Sequence, residues 1–383
     1  MTYNLEQHVK VTVTQELEKQ LIETLMENSY RTPMIVIDSF LVETKIIKKV
    51  LVSLKENSIR YLIFDKVTPN PSIEIIDNGA QIFLENKCDS IVAIGGGSVI
   101  DAARGINIVR YFGGSIKDYA YSKPVPEYCR GLISVPTTSG TGSELSNALV
   151  ATDSKTKEKL AILADNAVSE FAILCPDLVK TLPKQMTIMT GLDVFSHASE
   201  AYTSNLSSPV VDSICEKVMF LVVRYLPKAV NNPDDLEARE RMMVASSLGG
   251  WILNNGGTHL GHSLAHVIGA KMNIPHGMAC AYSTPATLMF TAAVSPKKIR
   301  EIGNILDTKF SGDETDMEIG KKVAEKYKFF RDNILGLSSF EETGIKREDM
   351  INLTSEIVNE RFAANCPFEV TEELVISALK LFG

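Results

Sequence analysis

The sequence predicts an α/β domain with a mainly parallel sheet, followed by an all-helical domain. The first half of the chain alternates short β-branched runs with amphipathic stretches, a pattern typical of βαβ units. After residue 185 the strand signals stop, and helical patterns continue to the C-terminus. A chain of 383 residues can support two cores. We therefore expect domains at residues 1–185 and 186–383, with the boundary in TLPKQ (181–185).

Seven short apolar runs are the predicted strands. Amphipathic segments at 43–57 and 72–87 lie between the first three of them and place apolar residues at helical spacing. Each segment can serve as a crossover helix, so the strands that it joins should run parallel. The predicted strands are 34–38, 61–64, 90–95, 131–135, 148–152, 160–163 and 171–174.

Charge and composition exclude several classes of protein. A net charge of -8 would repel a phosphate backbone, so we expect no nucleic-acid partner. The polar N-terminal segment and the lack of any long apolar run predict no membrane partner and a cytoplasmic location. The six cysteines are scattered without CxxC spacing, which predicts reduced residues that mostly pack in the core.

A strand, three glycines and a helix follow one another in SIVAIGGGSVIDAARGI (90–106). Without side chains, the glycines allow a ligand to approach the backbone, and a helix N-terminus favours an anion such as a pyrophosphate. Ser98 and Asp101 also fit an ordinary N-cap with an acidic residue three positions later, which needs no ligand. Because the motif is not GxGxxG, both interpretations stay open.

Two further features favour a dinucleotide site. Asp38 ends the first clear strand, where a carboxylate can bind an adenosine ribose and repel a 2′-phosphate, which favours NAD over NADP. Its alternative role is that of an ordinary turn residue. PTTSGTGSE (136–144) follows another strand and offers several small polar donors. The sequence therefore predicts a Rossmann-like dinucleotide-binding domain.

Five of the six histidines lie in the predicted helical domain. Asp193 and His197 are four residues apart, as are His262 and His266, so each pair projects from one helix face. His276 follows a proline at a predicted loop-to-helix junction. A single histidine is more often a satisfied core or surface residue, but this clustering favours a metal site. One carboxylate and three imidazoles suit Fe²⁺ or Zn²⁺ equally.

Five motifs, in order along nearly the whole chain, resemble those of the iron-containing (group III) alcohol dehydrogenase family. The resemblance implies a Rossmann-like domain and an all-helical metal-binding domain with a dehydroquinate synthase-like fold, and an active site between them. It also implies NAD(H)-linked conversion of small alcohols and aldehydes, with the metal as Lewis acid, in a homodimer or a higher homo-oligomer. The motifs are PNP (69–71), GGGSVIDAAR (95–104), PTTSGTGSE (136–144), GLDVFSHASEAY (191–202) and HSLAHVIGAKMNIPHG (262–277).

The resemblance further implies roles for individual residues. His266 would be the catalytic residue beside substrate and nicotinamide. The metal, Fe²⁺ or in some members Zn²⁺, would be held by Asp193, His197, His262 and His276. The NAD site would be lined by Asp38, Gly96, Gly97, Ser98, Thr137, Thr138, Thr141 and Lys159.

Three positions depart from the family pattern. Arg104 stands where many members have lysine, ANCPF (364–368) replaces an asparagine-proline-arginine segment, and His259 is not a general feature. Glu200 is a weaker ligand candidate, one turn beyond the aspartate and histidine pair. Two alternative functions remain: a zinc-dependent polyol dehydrogenase of the glycerol type, and a non-catalytic NAD-binding scaffold.

Overall fold

The structure is a computed structural model that describes Leu5 and residues 7–121, 123–156 and 158–383, without the side chain of Tyr121. The described residues form two compact units. One unit contains residues 7–138 and Gly142–Thr181, and the other contains Ser139–Thr141 and Leu182–Gly383. None of the helices in the described part of the chain is long and apolar enough to span a membrane.

The first unit is built on a parallel sheet. Its strands are β1 (Lys10–Val13), β2 (Pro33–Ile37), β3 (Leu62–Phe64), β4 (Ser90–Gly95), β5 (Leu132–Pro136), β6 (Ala148–Thr152), β7 (Lys159–Leu163) and β8 (Phe171–Leu174). Six of them form one sheet in the order β1-β8-β5-β4-β2-β3, with every neighbouring pair parallel. The remaining two, β6 and β7, form a separate antiparallel pair.

Alternate side chains of this sheet enter two different cores. The helices of the first unit are α1 (Leu17–Glu27), α2 (Lys45–Glu56), α3 (Ile73–Glu85), α4 (Gly97–Phe112) and α5 (Asp118–Tyr121). On β2, Met34 and Val36 pack with residues of α3 and α4, whereas Ile35 and Ile37 pack with residues of α1 and α2. Each fully buried aliphatic side chain contributes about 1.5–3 kcal/mol to the free energy of unfolding. The sheet is therefore covered by helices on both faces, as its continuous apolar strands predict.

All seven predicted strands are present, with ends that agree within one residue, and the two predicted helices agree within two. The prediction missed β1, because KVTV alternates polar and apolar residues inside a segment that looks uniformly polar. It also missed α1, which follows in the same segment. The expectation of a mainly parallel sheet is confirmed, and β6 and β7 form their antiparallel pair outside that sheet. Only residues 153–158 separate these two strands in the sequence, and the backbone N–H of Asp153 donates to the carbonyl of Glu158 at 2.9 Å. Parallel strands would need a crossover of about a dozen or more residues.

The second unit confirms the predicted helical domain, since residues 182–383 contain helices and no strand. Its helices are α6 (Lys184–Thr203), α7 (Pro209–Asn231), α8 (Leu236–Gly256), α9 (Leu260–Met272), α10 (His276–Thr291), α11 (Pro296–Ile305), α12 (Asp316–Phe329), α13 (Arg347–Ile351), α14 (Thr354–Val358) and α15 (Glu372–Lys380). Shorter helical turns lie at Ser39–Leu41, Asp165–Ala167, Pro176–Val179, Phe330–Leu335, Phe340–Thr343 and Arg361–Asn365.

Candidate metal centre and nucleotide-binding edge

Helix α6 carries the first half of the candidate metal centre. Asp193 and His197 lie one turn apart on it, as predicted from their spacing, and Glu200 lies almost one turn further. All three residues are buried, being at most 3% exposed. Buried ionisable groups of this kind need a partner or an ion, because desolvation of an unpaired charge is costly.

Helices α9 and α10 bring the other histidines to α6. His262 lies in the first turn of α9, and His276 is the first residue of α10, at the loop-to-helix junction that the sequence predicted. Gly277 lets α10 approach α6 closely, because a Cβ there would lie 2.9 Å from the backbone carbonyl carbon of Met189 and 3.5 Å from the Cβ of Asp193. A side chain at this position would push His276 away from α6.

Three imidazole nitrogens surround one carboxylate oxygen. The distances from Oδ1 of Asp193 are 3.5 Å to Nε2 of His197, 3.7 Å to Nε2 of His262 and 3.6 Å to Nε2 of His276. They exceed a hydrogen-bond length, and this oxygen is buried and accepts no hydrogen bond from the residues that the structure describes. Donors that share one tetrahedral ion at about 2.0–2.1 Å lie about 3.4 Å apart, so the four residues fit a divalent metal.

The charge states of these groups also suit a cation. Burial alone would raise the pKa of Asp193, but the neighbouring imidazoles hold it at about 2, so the carboxylate is ionised near neutral pH. Burial lowers the pKa of His197 to about 4, so this imidazole is neutral and has a free lone pair. Burial would lower the pKa of His262, but the carboxylate of Glu200 raises it, so this ring gives up a proton when a metal binds. An ionised carboxylate beside unprotonated imidazole nitrogens is the form in which these side chains bind Fe²⁺ or Zn²⁺.

Glu200 orients one of the histidines. Its Oε1 lies 2.7 Å from Nδ1 of His262, and its Oε2 accepts the backbone N–H groups of His259 at 2.8 Å and His262 at 3.2 Å. Because a carboxylate only accepts, Nδ1 carries the hydrogen and Nε2 keeps its lone pair for the metal. The carboxylate of Glu200 is thus fully hydrogen-bonded to the start of α9. His259, which departs from the family pattern, belongs to the same buried network, with its Nε2 2.9 Å from Oγ1 of Thr203.

His266 lies beside this cluster, with a side chain that is 35% exposed. Its ring stacks on His276, with centroids 5.3 Å apart, and lies the same distance from Phe362. Oε1 of Glu360 is 3.2 Å from Nδ1 of His266, and Oε2 accepts the hydroxyl of Ser263 at 2.8 Å. Burial would raise the pKa of Glu360, but these hydrogen bonds and the backbone N–H of Phe362 hold it below its usual range.

The glycine turn of the first unit forms the amino end of α4. The helix begins at Gly97, so Gly96 is its N-cap and the predicted capping role of Ser98 is wrong. The hydroxyl of Ser98 instead accepts the backbone N–H of Asn70 at 3.3 Å, and Asp101 accepts the hydroxyl of Ser143 at 2.6 Å. The sequence did not show these partners, because both come from other segments of the chain.

The carboxyl ends of β2, β4 and β5 bring several predicted nucleotide-site residues together. Asp38 follows β2, and the backbone of Gly96 hydrogen-bonds to its carboxylate, although burial still raises the pKa of Asp38. Thr137 donates its backbone N–H to the carbonyl of Gly95 at 3.0 Å. A Cβ at Gly96 would lie 3.4 Å from the methyl group of Thr138. These residues line the edge where dinucleotides bind in open parallel sheets.

The two remaining predicted nucleotide-site residues lie elsewhere. Lys159 begins β7 and pairs with Thr152 of β6, whose backbone N–H donates to the carbonyl of Pro71 at 2.8 Å in the PNP segment. Burial lowers the pKa of Lys159. Thr141 belongs to the short segment 139–141 of the helical unit, where Gly140 packs against Thr190 of α6.

Two family models match almost the entire chain. Residues 10–176 match the model of iron-containing alcohol dehydrogenases, and residues 187–382 match that of the C-terminal part of the Fe-containing alcohol dehydrogenase family. The chain belongs to the iron-containing alcohol dehydrogenase family. This confirms the predicted family, and the protein is accordingly an alcohol oxidoreductase with NAD(H) and Fe²⁺ as cofactors.

Named relatives of this alcohol dehydrogenase span most of its length. It is 33% identical over 333 residues to the NAD-dependent methanol dehydrogenase of Bacillus methanolicus, covering 87% of each chain. It is 30% identical over 335 residues to a 1,3-propanediol dehydrogenase of Klebsiella pneumoniae, covering 87% of this chain and 86% of the relative. The crystal structure of an alcohol dehydrogenase from Oenococcus oeni matches it with a TM-score of 0.92 and 27% identity over 100% of both chains. The predicted fold class is thereby confirmed.

Sequence reasoning on this alcohol dehydrogenase missed Glu360 and Cys280. Glu360 is far from His266 along the chain, and no sequence pattern links the two. Cys280 carried a usable signal, because it lies four residues after His276 on the same helix face. The scattered positions of the six cysteines suggested packing only.

Proposed function

We propose that this alcohol dehydrogenase interconverts a small alcohol and its aldehyde, with the divalent metal held by Asp193, His197, His262 and His276 and with His266 as the catalytic residue. One observation carries the assignment of the ligands. It is the buried, unpaired Oδ1 of Asp193 with three imidazole Nε2 atoms at 3.5–3.7 Å. A catalytic metal ion uses such protein ligands and can expand its coordination to accept the substrate oxygen.

The chemistry divides between the cofactors and the protein. When bound, the metal acts as a Lewis acid on the substrate oxygen, and NAD(H) supplies or accepts the hydride. Asp193 contributes the negative charge that holds the ion, and His197, which burial keeps neutral, is a ready nitrogen ligand. Glu200 holds Nδ1 of His262, so that Nε2 of this ring faces Asp193. The protein thus supplies a fixed set of donors that does not have to rearrange, buried except at His276, whose side chain is 41% exposed.

His266 is proposed to move the proton. With Glu360 accepting from Nδ1, Nε2 is the ring atom left to take or give a proton, and the partly exposed ring can pass it to solvent. Replacing His266 by alanine should lower kcat by about 10²–10⁴-fold, the usual contribution of general acid–base catalysis. Metal content, measured by elemental analysis, should stay unchanged; its loss would make His266 a ligand.

The nucleotide is proposed to bind along the edge that carries Asp38 and the glycine turn. The proposed lining residues are Asp38, Gly96, Gly97, Ser98, Thr137, Thr138, Thr141 and Lys159. The carboxylate of Asp38 would accept ribose hydroxyls and repel a 2′-phosphate, so NAD should be preferred over NADP. Asp38→Ala should reduce this preference in measured kcat/KM ratios, and an unchanged ratio would contradict the role.

The substrate is proposed to be a small aldehyde, since alcohol oxidation by NAD is usually uphill near neutral pH. Similar proteins are named for methanol and 1,3-propanediol, and one structure 25% identical to this chain, from Bifidobacterium kashiwanohense, is a sulfoacetaldehyde reductase with NAD⁺. A panel should therefore contain short aliphatic, hydroxylated and acidic aldehydes. The aldehyde with the highest kcat/KM identifies the substrate class.

The decisive experiment combines metal analysis with turnover. We would purify the protein anaerobically, measure bound metal, and follow NADH oxidation with the aldehyde panel before and after addition of Fe²⁺ or Zn²⁺. Asp193→Asn should lose the metal and lower turnover by more than about 100-fold, since even residues that only support a ligand contribute 10–100-fold. The matched control is Asp307→Asn, an exposed aspartate in a left-handed conformation that asparagine also adopts.

The outcomes separate the alternatives. Metal near one per subunit with restored turnover supports the proposal. Turnover with glycerol-type polyols and Zn²⁺ alone would favour the zinc-dependent polyol dehydrogenase. No bound metal and no turnover under every condition would favour the non-catalytic scaffold.

Assembly and location are proposed as well. A homodimer or larger homo-oligomer is supported by β1, which lies at the sheet edge with Val11 and Val13 each 42% exposed, because open apolar edges favour pairing between chains. Light scattering during size-exclusion chromatography would test it, and a monomer at all concentrations would overturn it. A cytoplasmic location is supported by the six cysteines, which are all free and buried.

A further inference from the structure

Cys280 lies against the candidate metal centre. Ligand atoms of Asp193, His262, His276 and Cys280 all lie within 4.8 Å of one another, and Cys280 is buried. Its Sγ lies 3.7 Å from Nε2 of His262 and 3.6 Å from Nε2 of His276. These are the same two nitrogen atoms that face Asp193. The thiol therefore lies beside the space that the metal would occupy, next to the ring of His276.

These separations match shared coordination. With a metal–sulfur bond of about 2.3 Å and metal–nitrogen bonds of about 2.0–2.1 Å, angles of about 90–110° between neighbouring ligands place S and N about 3.1–3.6 Å apart. Both sulfur–nitrogen distances agree with the upper end of this range within about 0.1 Å. The helix explains how they arise, because His276 and Cys280 are one turn apart on α10 and project from the same face.

The thiol of Cys280 also hydrogen-bonds to the carboxylate of Asp193. One S–H can donate to a single partner, yet Sγ lies close to this carboxylate and almost equally far from two nitrogens on different helices. Nδ1 of His262 carries its hydrogen toward Glu200, so Nε2 offers its lone pair in the direction of the same space. Two lone pairs, a carboxylate oxygen and a sulfur that converge on one point are typical of a metal site.

We propose that Cys280 is a ligand of the metal, so that the centre has a mixed oxygen, nitrogen and sulfur donor set. The inference rests on the proposed ligand roles of Asp193, His197, His262 and His276, beside which Cys280 is a fifth protein donor. As the ion binds, the bond to sulfur forms and the thiol proton leaves to solvent. A thiolate ligand favours softer ions, so Cys280 biases the centre toward Zn²⁺ relative to an all-oxygen and nitrogen site.

The test reads the metal's ligands directly, without using activity. X-ray absorption at the metal edge of the purified, metal-loaded wild-type protein should show one sulfur at about 2.3 Å beside the lighter donors. The Co²⁺-loaded protein should show a sulfur-to-cobalt charge-transfer band in the near ultraviolet. Cys280→Ser should lose both signals and still bind the ion. The matched control Cys215→Ser, which alters another buried cysteine on α7, should keep them.

Contrary outcomes are distinguishable. A bound metal with only oxygen and nitrogen neighbours in the wild type would overturn the role of Cys280 and leave the proposed function intact. Signals that persist in Cys280→Ser would also overturn it. A wild-type protein that binds no metal under any loading condition would overturn this inference and the proposed function together.

Discussion

At the scale of single residues, Glu200 determines which nitrogen of His262 faces the metal. Glutamine at this position would either turn its NH₂ group toward Nδ1, which places the ring hydrogen on Nε2, or turn it toward the backbone N–H groups of α9, which then lose their acceptor. We expect Glu200→Gln to weaken Zn²⁺ affinity by about 10–100-fold, measured by competition with a chelator. The exposed Glu237→Gln is the control. Equal affinities in the two variants would show that Glu200 has no orienting role.

Glu360 acts on His266 in a comparable way, but at a partly exposed ring. Glu360→Gln removes the charge that would stabilise a protonated His266, so kcat should fall while the KM for NADH and the metal content stay unchanged. Steady-state kinetics with elemental analysis would check this split. A fall in metal content would instead indicate a structural role for Glu360 through Ser263 and α9.

At the scale of elements, the glycines before α4 have separate roles. A Cβ at Gly95 would lie 2.5 Å from Cβ of Val99, whereas a Cβ at Gly96 would meet only the side chain of Thr138, at 3.4 Å or more. Gly95→Ala should therefore destabilise the fold. Gly96→Ala should leave the melting temperature nearly unchanged and weaken NADH binding, measured by nucleotide fluorescence, because its methyl group would occupy the proposed nucleotide edge. Undiminished NADH affinity would contradict that placement.

Helices α11 and α12 are joined by Glu314. Its carboxylate pairs with Arg300 at 3.2 Å and Lys322 at 2.6 Å and accepts the backbone N–H of Ser311 at 2.6 Å. The hydrogen bond from Lys322, with those from the backbone, holds the pKa of Glu314 far below its usual value of 4.5. The stabilisation is therefore present above pH 4.5 and disappears as the pH falls below it.

Glu314→Gln should consequently melt at a lower temperature than the wild type at pH 7, and the difference should shrink as the medium becomes more acidic. Thermal denaturation across a pH series would check the sign. A difference that grows toward acid pH would contradict the assignment of a depressed pKa. The exposed Glu237→Gln should show no such trend.

Elements were predictable from the sequence where the signal is local, and were missed where a distant partner supplies it. The apolar run of β4 and the four-residue spacing of Asp193 and His197 follow from strand and helix periods. The strand β1 is stabilised by β8, its neighbour in the sheet, which comes last among the strands in the sequence. The four residues of β1 therefore carry little signal of their own. Glu360 meets His266 only through the packing of the helical unit.

At the scale of the whole molecule, the metal should stabilise one unit more than the other. The donors come from α6, α9 and α10, and without an ion they leave the buried Oδ1 of Asp193 unpaired. An ion present at 1,000 times its dissociation constant adds about 4 kcal/mol to the free energy of unfolding. Chelation should therefore accelerate hydrogen exchange in these helices and leave β4 unchanged. Equal acceleration in both units would contradict this expectation.

The strand order also has a consequence for synthesis on the ribosome. Strands β3, β2, β4 and β5 can join as soon as β5 has emerged, but β8 separates β5 from β1 and is translated last in the unit. Until then, β5 presents an unpaired edge and the nascent β1 has no neighbour. The partly made sheet is therefore open on that side throughout translation of residues 137–170, the interval in which a chaperone would protect it.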